Sequence, residues 1–270
     1  MSSERFRLGV AQITSTDQTD FNLTLIEKLY GDAVADRADL VVFPENSLYF
    51  RIRPGESVKG LEMNGPVVAR LQKLVDQQRA PLMVTTAVAE AGGKLSNSTI
   101  YFQPSVAPKK LYSKIHLFDV DVPGAPPVRE SDYFSNGSQP RMIELKGWKI
   151  GLTICYDLRF SELYLRYAQK ADLILVPSAF LVPTGEAHWH VLLRARAIEA
   201  QAFVAAPAQS GEHRSGDQLR KTYGHSLVID PWGKILSEIQ ESPQIRVVEL
   251  DKPQIAKVRG QIPMAGHRRL

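Results

Sequence analysis

Two stretches in opposite halves of the chain read almost alike, and they limit the fold more than any other feature of the sequence. Ala38-Asp39-Leu40-Val41-Val42-Phe43-Pro44-Glu45 resembles Ala171-Asp172-Leu173-Ile174-Leu175-Val176-Pro177-Ser178, and Leu8-Gly9-Val10-Ala11 resembles Ile150-Gly151-Leu152-Thr153. Each half runs from a strand through a helical segment to a second strand that stops at a proline. Short apolar runs bounded by turn residues mark strands buried on both faces. The repetition predicts two pseudo-symmetric β-α-β halves packed as one domain over residues 1–270. Their two sheets would lie back to back with helices outside.

The remaining patterns fit this α/β plan. Strands are expected near Phe6–Gln12, Leu40–Phe43, Leu82–Ala89 and Thr99–Phe102. A second series is expected near Met142–Leu145, Lys149–Thr153, Leu173–Val176, Phe203–Ala206, Ser226–Ile229 and Ile245–Glu249. Helical spacing covers Phe21–Arg37, with Leu25, Ile26, Leu29, Ala33 and Val34 on one face, and Val67–Gln78. Two later helices are expected at Ser161–Gln169, capped by Ser161, and at His188–Gln201. The segment from Ser113 to Pro140 breaks the rhythm with Pro123, Gly124, Pro126, Pro127 and Gly137. Tyr133 and Phe134 within it favour an ordered loop that covers a site.

Composition removes several function classes. No run of about 18 apolar residues occurs, so no membrane span is expected. Met1 to Arg7 is polar and leads straight into a strand pattern, unlike a secretory signal, and a cytoplasmic setting is the expectation. The net charge of +4 is spread among acids, and no basic stripe interleaves with aromatics. Nucleic acid is therefore not the expected partner, whereas a small anionic substrate suits a mildly positive field. The single cysteine, Cys155, excludes an internal disulfide and any multi-thiolate metal site. A lone cysteine is commonly just a small buried apolar residue.

Its position argues for more. Cys155 ends the apolar run Ile150–Ile154, just before a turn into the next helix; Glu45 ends Leu40–Pro44, and Lys114 opens the long loop. In open α/β sheets, ligands bind at the carboxyl ends of strands, and a charge at the end of a buried strand is costly unless paired or functional. A thiol with a pKa of about 8.5 is mostly protonated at neutral pH and needs a base or cation beside it. Glu45 can take its proton and later activate water, while Lys114 and the backbone N–H of Tyr156 can hold an oxyanion. His116, His188 and His190 remain open alternatives as the base, because a Cys–His dyad is the commoner arrangement.

These residues also carry a resemblance. Ile154-Cys155-Tyr156-Asp157-Leu158-Arg159-Phe160-Ser161-Glu162-Leu163-Tyr164 resembles the nucleophile motif of the nitrilase superfamily, the carbon–nitrogen hydrolases. Val42-Phe43-Pro44-Glu45 resembles its glutamate motif and Tyr112-Ser113-Lys114-Ile115-His116-Leu117-Phe118 its lysine motif, in the family's order. The resemblance implies a Glu45–Lys114–Cys155 triad in a four-layer α-β-β-α sandwich that usually dimerises. It adds Glu130, from Arg129-Glu130-Ser131, as a second glutamate that orients Lys114 or the substrate amide. Ser161 departs from the proline common at that place.

Within the superfamily the likeness is to the Nit branch. It is carried by Asp119–Gly124, Val182–Trp189, Leu193–Glu199, Tyr223–Gly233 and the tail His267-Arg268-Arg269. The branch implies hydrolysis of deaminated glutathione, the favoured expectation, or the ω-amidase reaction on α-ketoglutaramate-type acids. A binding module without activity is the alternative from another class, and an intact triad speaks against it. A substrate bearing carboxylates calls for arginine, with Arg159 and Arg129 as candidates, although Arg159 can equally pair with Asp157 or Glu162. Tyr49, Phe50, Tyr156, Phe180 and Thr184 are expected around the pocket, the last two on the loop after Pro177. Arg194 and Arg196 are assigned to structure or a dimer interface. No phosphate loop, dinucleotide fingerprint or metal spacing occurs, so no cofactor is expected.

Overall fold

The computed structural model describes residues 4–53, 55–121 and 127–269. Pro123, Gly124 and Pro126 of the long loop lie outside the described residues. Strands follow in chain order as β1 (Arg5–Ile13), β2 (Leu40–Val42), β3 (Leu82–Ala89), β4 (Leu95–Gln103), β5 (Val106–Ser113), β6 (Asp119–Val120), β7 (Val128–Arg129) and β8 (Arg141–Leu145). The second half adds β9 (Trp148–Leu152), β10 (Leu173–Leu175), β11 (Phe203–Ala206), β12 (Ala208–Ser215), β13 (Gln218–Tyr223), β14 (Ser226–Ile229), β15 (Ile235–Ile239) and β16 (Gln244–Asp251). The helices are α1 (Thr19–Ala35), α2 (Pro66–Gln78), α3 (Ser161–Tyr167), α4 (Val182–Ala200), α5 (Pro253–Gln261) and α6 (Met264–His267).

The duplication seen in the sequence is explicit in the pairing. One sheet contains the path β16-β1-β2-β3-β4-β5 and the other runs β8-β9-β10-β11-β14-β15. In each, an antiparallel strand flanks three parallel strands, which are followed by two antiparallel ones. The hairpin β12–β13 leaves the second half and pairs with β1 of the first sheet, bolting the halves together.

Alternation along the strands builds the layers. Leu8, Val10, Leu40, Val42 and Met83 join Trp148, Ile150 and Leu152 in one buried cluster between the sheets. The intervening Ala11, Val41, Phe43, Leu82 and Val84 pack with Leu23, Ile26, Leu29, Tyr30 and Ala33 of α1 and Val68, Leu71 and Val75 of α2. The α1 stripe is rotated from the expected one: Leu23 and Tyr30 are buried, and Leu25 and Val34 sit at its margin.

The echoed glycines have a packing reason. A Cβ on Gly9 would stand 3.2 Å from the Cβ of Ala33, and one on Gly151 would stand 3.0 Å from the Tyr167 ring. Each lets a helix cross close over the first strand of its half.

Some boundaries move. Helix α3 begins after Phe160, and Ser161 makes no capping bond; its hydroxyl leans on Glu162 instead. The expected helix from His188 starts one and a half turns earlier, at Val182, with Pro183 in the first turn where its missing N–H is harmless. The expected loop residue Thr184 is thus helical. The strands β5, β12, β13 and β15 and the two-residue strands β6 and β7 are additions to the sequence reading.

Replacing Gly151 with valine should drive a side chain into Tyr167 and lower stability by about 1–3 kcal/mol. Urea unfolding should show a lower midpoint with an unchanged slope.

Candidate active site

The carboxyl ends of β2, β5 and β9 converge on one cleft. Glu45 follows β2, and its carbonyl accepts a hydrogen bond from Gln209 Nε2 at 3.0 Å. Lys114 follows β5, where its N–H donates to Asn97 O at 2.8 Å and its carbonyl accepts from Gly137 N at 2.7 Å. Gly137 must be glycine for this contact, since a Cβ would lie 2.1 Å from the Ser113 carbonyl oxygen.

Cys155 follows β9 with φ of +47°, in the left-handed region that side chains other than glycine, asparagine and aspartate rarely occupy. Such strain persists when the surroundings fix it, and it collects at functional positions. Here the Cys155 N–H donates to Pro177 O at 3.0 Å. The buried Asp157 carboxylate clamps the turn from below, accepting from Ile154 N (3.0 Å), His116 N (3.0 Å) and the Tyr112 hydroxyl (2.7 Å), with His116 Nδ1 at 2.7 Å. One carboxylate thus ties the lysine-bearing strand to the nucleophile turn.

Lys114 is 2% exposed, and its Nζ donates to Glu45 Oε1 at 2.9 Å and to Glu130 Oε2 at 2.8 Å. Asn97 Nδ2 bridges the same two carboxylates, at 2.7 Å to Glu45 and 3.0 Å to Glu130. Phe118 N adds a bond to Glu130 Oε2 at 2.7 Å. Burial presses the Lys114 pKa down, but the carboxylates of Glu130 and Glu45 outweigh it and hold the ammonium well above its ordinary range. Burial pushes the Cys155 thiol up, and the Glu45 charge adds to this; Lys114 and the Ala179 N–H pull the other way without prevailing. Burial and the Glu45 charge thus favour the neutral form of the Cys155 thiol, beside a fixed cation and a carboxylate.

The cleft encloses about 890 Å³ of space continuous with solvent. Glu45, Lys114, Glu130 and Cys155 line it together with Tyr49, Phe50, Tyr133, Phe134, Tyr156, Arg159, Phe180 and Thr184. Arg159 lies against the rings of Tyr156 and Phe180, 5.8 and 5.4 Å from their centroids, and meets His188 Nδ1 at 3.3 Å. It makes no pair with Asp157 or Glu162. Arg129 is turned away, bound to Asp121 at 2.8 Å and to the Val120 and Val128 carbonyls, and takes no part in the cleft. Arg196 serves structure: it donates to Leu158 O and pairs with Glu199.

None of the candidate histidines reaches the thiol. His116 is held by Asp157 and stacked on Phe160, and His188 faces Arg159. His190 and His225 share Glu238 Oε1 at 3.1 and 2.6 Å. That trio lies outside the cleft and is a hydrogen-bond network around one carboxylate oxygen. Sequence reasoning missed Asn97, Asp157, Arg51 and Arg220. The polar run Ser96-Asn97-Ser98-Thr99 inside an otherwise apolar strand was the available signal for Asn97; the arginines carried none.

A buried thiol, a carboxylate and a carboxylate-held ammonium thus share one cleft at the strand ends of an α-β-β-α sandwich. Residues 7–260 match the family described as carbon-nitrogen hydrolase, and the chain belongs to that family, within the nitrilase superfamily. It is an enzyme that hydrolyses carbon–nitrogen bonds other than peptide bonds. It is 34% identical over 98% of its length to a protein of Dictyostelium discoideum named deaminated glutathione amidase, covering 94% of that relative. It is 36% identical to one of the same name from Synechocystis, covering 95% of this chain and 96% of the other. Among solved structures, Saccharomyces cerevisiae Nit3, a member of branch 10 of the nitrilase superfamily, superposes with a TM-score of 0.83 at 29% identity, covering 99% of this chain and 98% of that one.

Because the Glu45 charge raises the Cys155 pKa, replacing it with glutamine should lower that pKa. The pH profile of Cys155 alkylation by iodoacetamide should shift to lower pH. Amide turnover should meanwhile fall by roughly 10²-fold or more for want of a base.

Proposed function

We propose that the chain is an amidase hydrolysing deaminated glutathione through a thioester on Cys155. The observation that carries this reading is the arrangement at the cleft floor, where Lys114 is gripped by Glu45 and Glu130 beside the thiol. The names of the relatives support the choice of substrate.

In the first step the Cys155 sulfur attacks the amide carbon while Glu45 takes the thiol proton. Lys114 and the Tyr156 N–H hold the oxyanion that forms, in a site dry enough for these charges to act strongly. Collapse expels the amine, protonated by Glu45, and leaves the acyl group on sulfur. Glu45 then takes a proton from water as it attacks the thioester, and collapse of this second intermediate breaks the carbon–sulfur bond, releases the acid and returns the proton from Glu45 to the Cys155 sulfur. Glu130 is a positioning residue: with Asn97 it fixes Lys114 for both oxyanions.

Arg159 suits the keto-acid carboxylate of the acyl portion, with Thr184 beside it and Tyr49 and Phe180 as walls. We also propose a single functional domain, a homodimer or higher even oligomer, and a cytoplasmic setting. Exposed Leu165, Val191, Ile198 and Trp232 supply apolar surface for self-association, and a nucleophilic thiol without a disulfide partner suits a reducing compartment. Among the described residues no helix is long and apolar enough to cross a membrane.

Purified protein should hydrolyse deaminated glutathione faster than α-ketoglutaramate. Cys155→Ala should abolish both activities, by on the order of 10⁴-fold or more. Faster turnover of α-ketoglutaramate would keep the mechanism and reject the substrate.

A further inference from the structure

The cleft holds a second pair of cations that the reaction scheme leaves unused. Arg51 follows the Glu45 turn, and Arg220 stands on β13, opposite His213 of β12. Arg220 Nη1 donates to the Arg51 carbonyl at 2.8 Å, so the hairpin β12–β13 and the Glu45 loop are clasped together here. A second clasp, Arg53 Nε to Ser215 Oγ at 2.9 Å, lies beside it. The guanidinium of Arg51 sits over the Tyr133 ring, 4.2 Å from its centroid, and that of Arg220 sits 5.4 Å from the centroid of Phe50. Phe50 is itself stacked at 3.8 Å on the buried His213. Aromatic faces and a backbone carbonyl therefore hold both guanidiniums in place.

What they lack is an anion. Among the described residues neither arginine has a carboxylate within ion-pair distance, whereas Arg196, Arg70 and Arg129 each have one. Arg51 Nη1 is buried without a hydrogen-bond partner. Both side chains line the cleft that contains Cys155. Neighbouring half-buried cations with donor capacity unspent are costly unless an anion arrives. A planar guanidinium offers parallel donors that match a carboxylate.

We propose that Arg51 and Arg220 form a carboxylate subsite for the leaving-group half of the substrate, the terminal carboxylate of an amide whose amine portion is itself an acid. This rests on the substrate reading above. Deaminated glutathione carries a carboxylate at each end, one on the keto acid and one on the glycine of the amine product. α-Ketoglutaramate carries only the first and releases ammonia.

The assignment of ends follows from the neighbours. Arg159 belongs to the turn that bears the nucleophile, which keeps the acyl group. Arg220 lies near enough to Glu45 to feel its charge, and Glu45 hands its proton to the departing nitrogen. Burial, followed by the charge of Arg51, pulls the Arg220 pKa below its ordinary value, and the negative charge of a bound carboxylate acts against this shift. Two cationic poles, each set among its own aromatic rings, thus suit the two ends of a dicarboxylate amide.

The test compares deaminated glutathione with its glycinamide analogue, which keeps the scissile bond but lacks the terminal charge. Wild type should favour the acid at least tenfold in kcat/KM, chiefly through KM. Arg220→Gln and Arg51→Gln should each reduce that acid-over-amide ratio several-fold or more, with Arg220→Lys retaining part of it. Turnover of the amide analogue reports that a variant is folded. A wild type that cleaves acid and amide equally well overturns the subsite while leaving the substrate reading intact, and so do variants that keep the full preference. A wild type that cleaves neither rejects the substrate reading and the subsite with it.

Discussion

Lys114 brings one positive charge into an interior where it meets Glu45 at 2.9 Å and Glu130 at 2.8 Å. Each charged group withdrawn from water costs several kcal/mol, and removing one partner of a buried pair costs about 3–5 kcal/mol. The groups around the cluster act to keep all of its members in place. Asn97 spans both carboxylates with one amide nitrogen, Phe118 N braces Glu130, and Gln209 fixes the backbone of Glu45. The long loop after β5 must return to deliver Glu130, and the glycine at its end permits the close approach to Ser113. Without that return the ammonium would face a single carboxylate, free to move away from the place where an oxyanion forms.

The duplicated architecture explains how so asymmetric a cluster arises from similar halves. In the aligned echoes, Glu45 corresponds to Ser178 and Cys155 to Ile13. Ile13 is wholly buried packing against α1, and Ser178 spends its N–H on Pro207 O and its hydroxyl on Val176 O. Each half therefore offers a strand end beside a proline-terminated strand, but only one strand end of each pair presents an ionisable side chain to the cleft. The first half contributes the carboxylate, the second the thiol. The second half also contributes backbone at its proline-ended strand, where Pro177 O takes the Cys155 N–H and the Ala179 N–H approaches the sulfur. The cleft lies where the two halves meet because neither half alone supplies the set.

The features legible in the sequence were those that apolar periodicity or local motif could carry. Parallel strands such as β2 and β10 are continuous apolar runs, and the residues that end them stand out by contrast. The edge strand β5 and the hairpin β12–β13 were not legible, because Lys109, Lys110, Glu212, Arg214 and Lys221 give them a solvated character. The start of α4 was hidden behind Pro183 and Gly185, which locally read as a turn. Proline is tolerated in a first helical turn. Gly185 is demanded by a partner distant in sequence, since a Cβ there would lie 2.2 Å from the Tyr223 ring. Asp157 looked like a partner for Arg159 because the two are neighbours in sequence; the fold gives it Tyr112 and His116 instead. Arg51 and Arg220 come together only through the pairing of β12 with β1, which no local pattern encodes.

A raised thiol pKa beside a lysine calls for an account of activation other than a standing thiolate–ammonium pair. The ammonium is already committed to two carboxylates, so its field at the sulfur is largely offset, and Glu45 adds its own negative charge there. Ionising Cys155 before substrate arrives would place a further anion among carboxylates in a buried site. In the mechanism proposed above, moving the thiol proton onto Glu45 during attack avoids this: the negative charge of Glu45 would pass through sulfur to the carbonyl oxygen, beside Lys114 and the turn amide. Cys155 holds its positive φ at this turn, and the Tyr156 N–H follows immediately in the chain. Under that proposal, strain, burial and the shared ammonium would together stabilise the transition state more than the resting thiol, which is the requirement for catalysis.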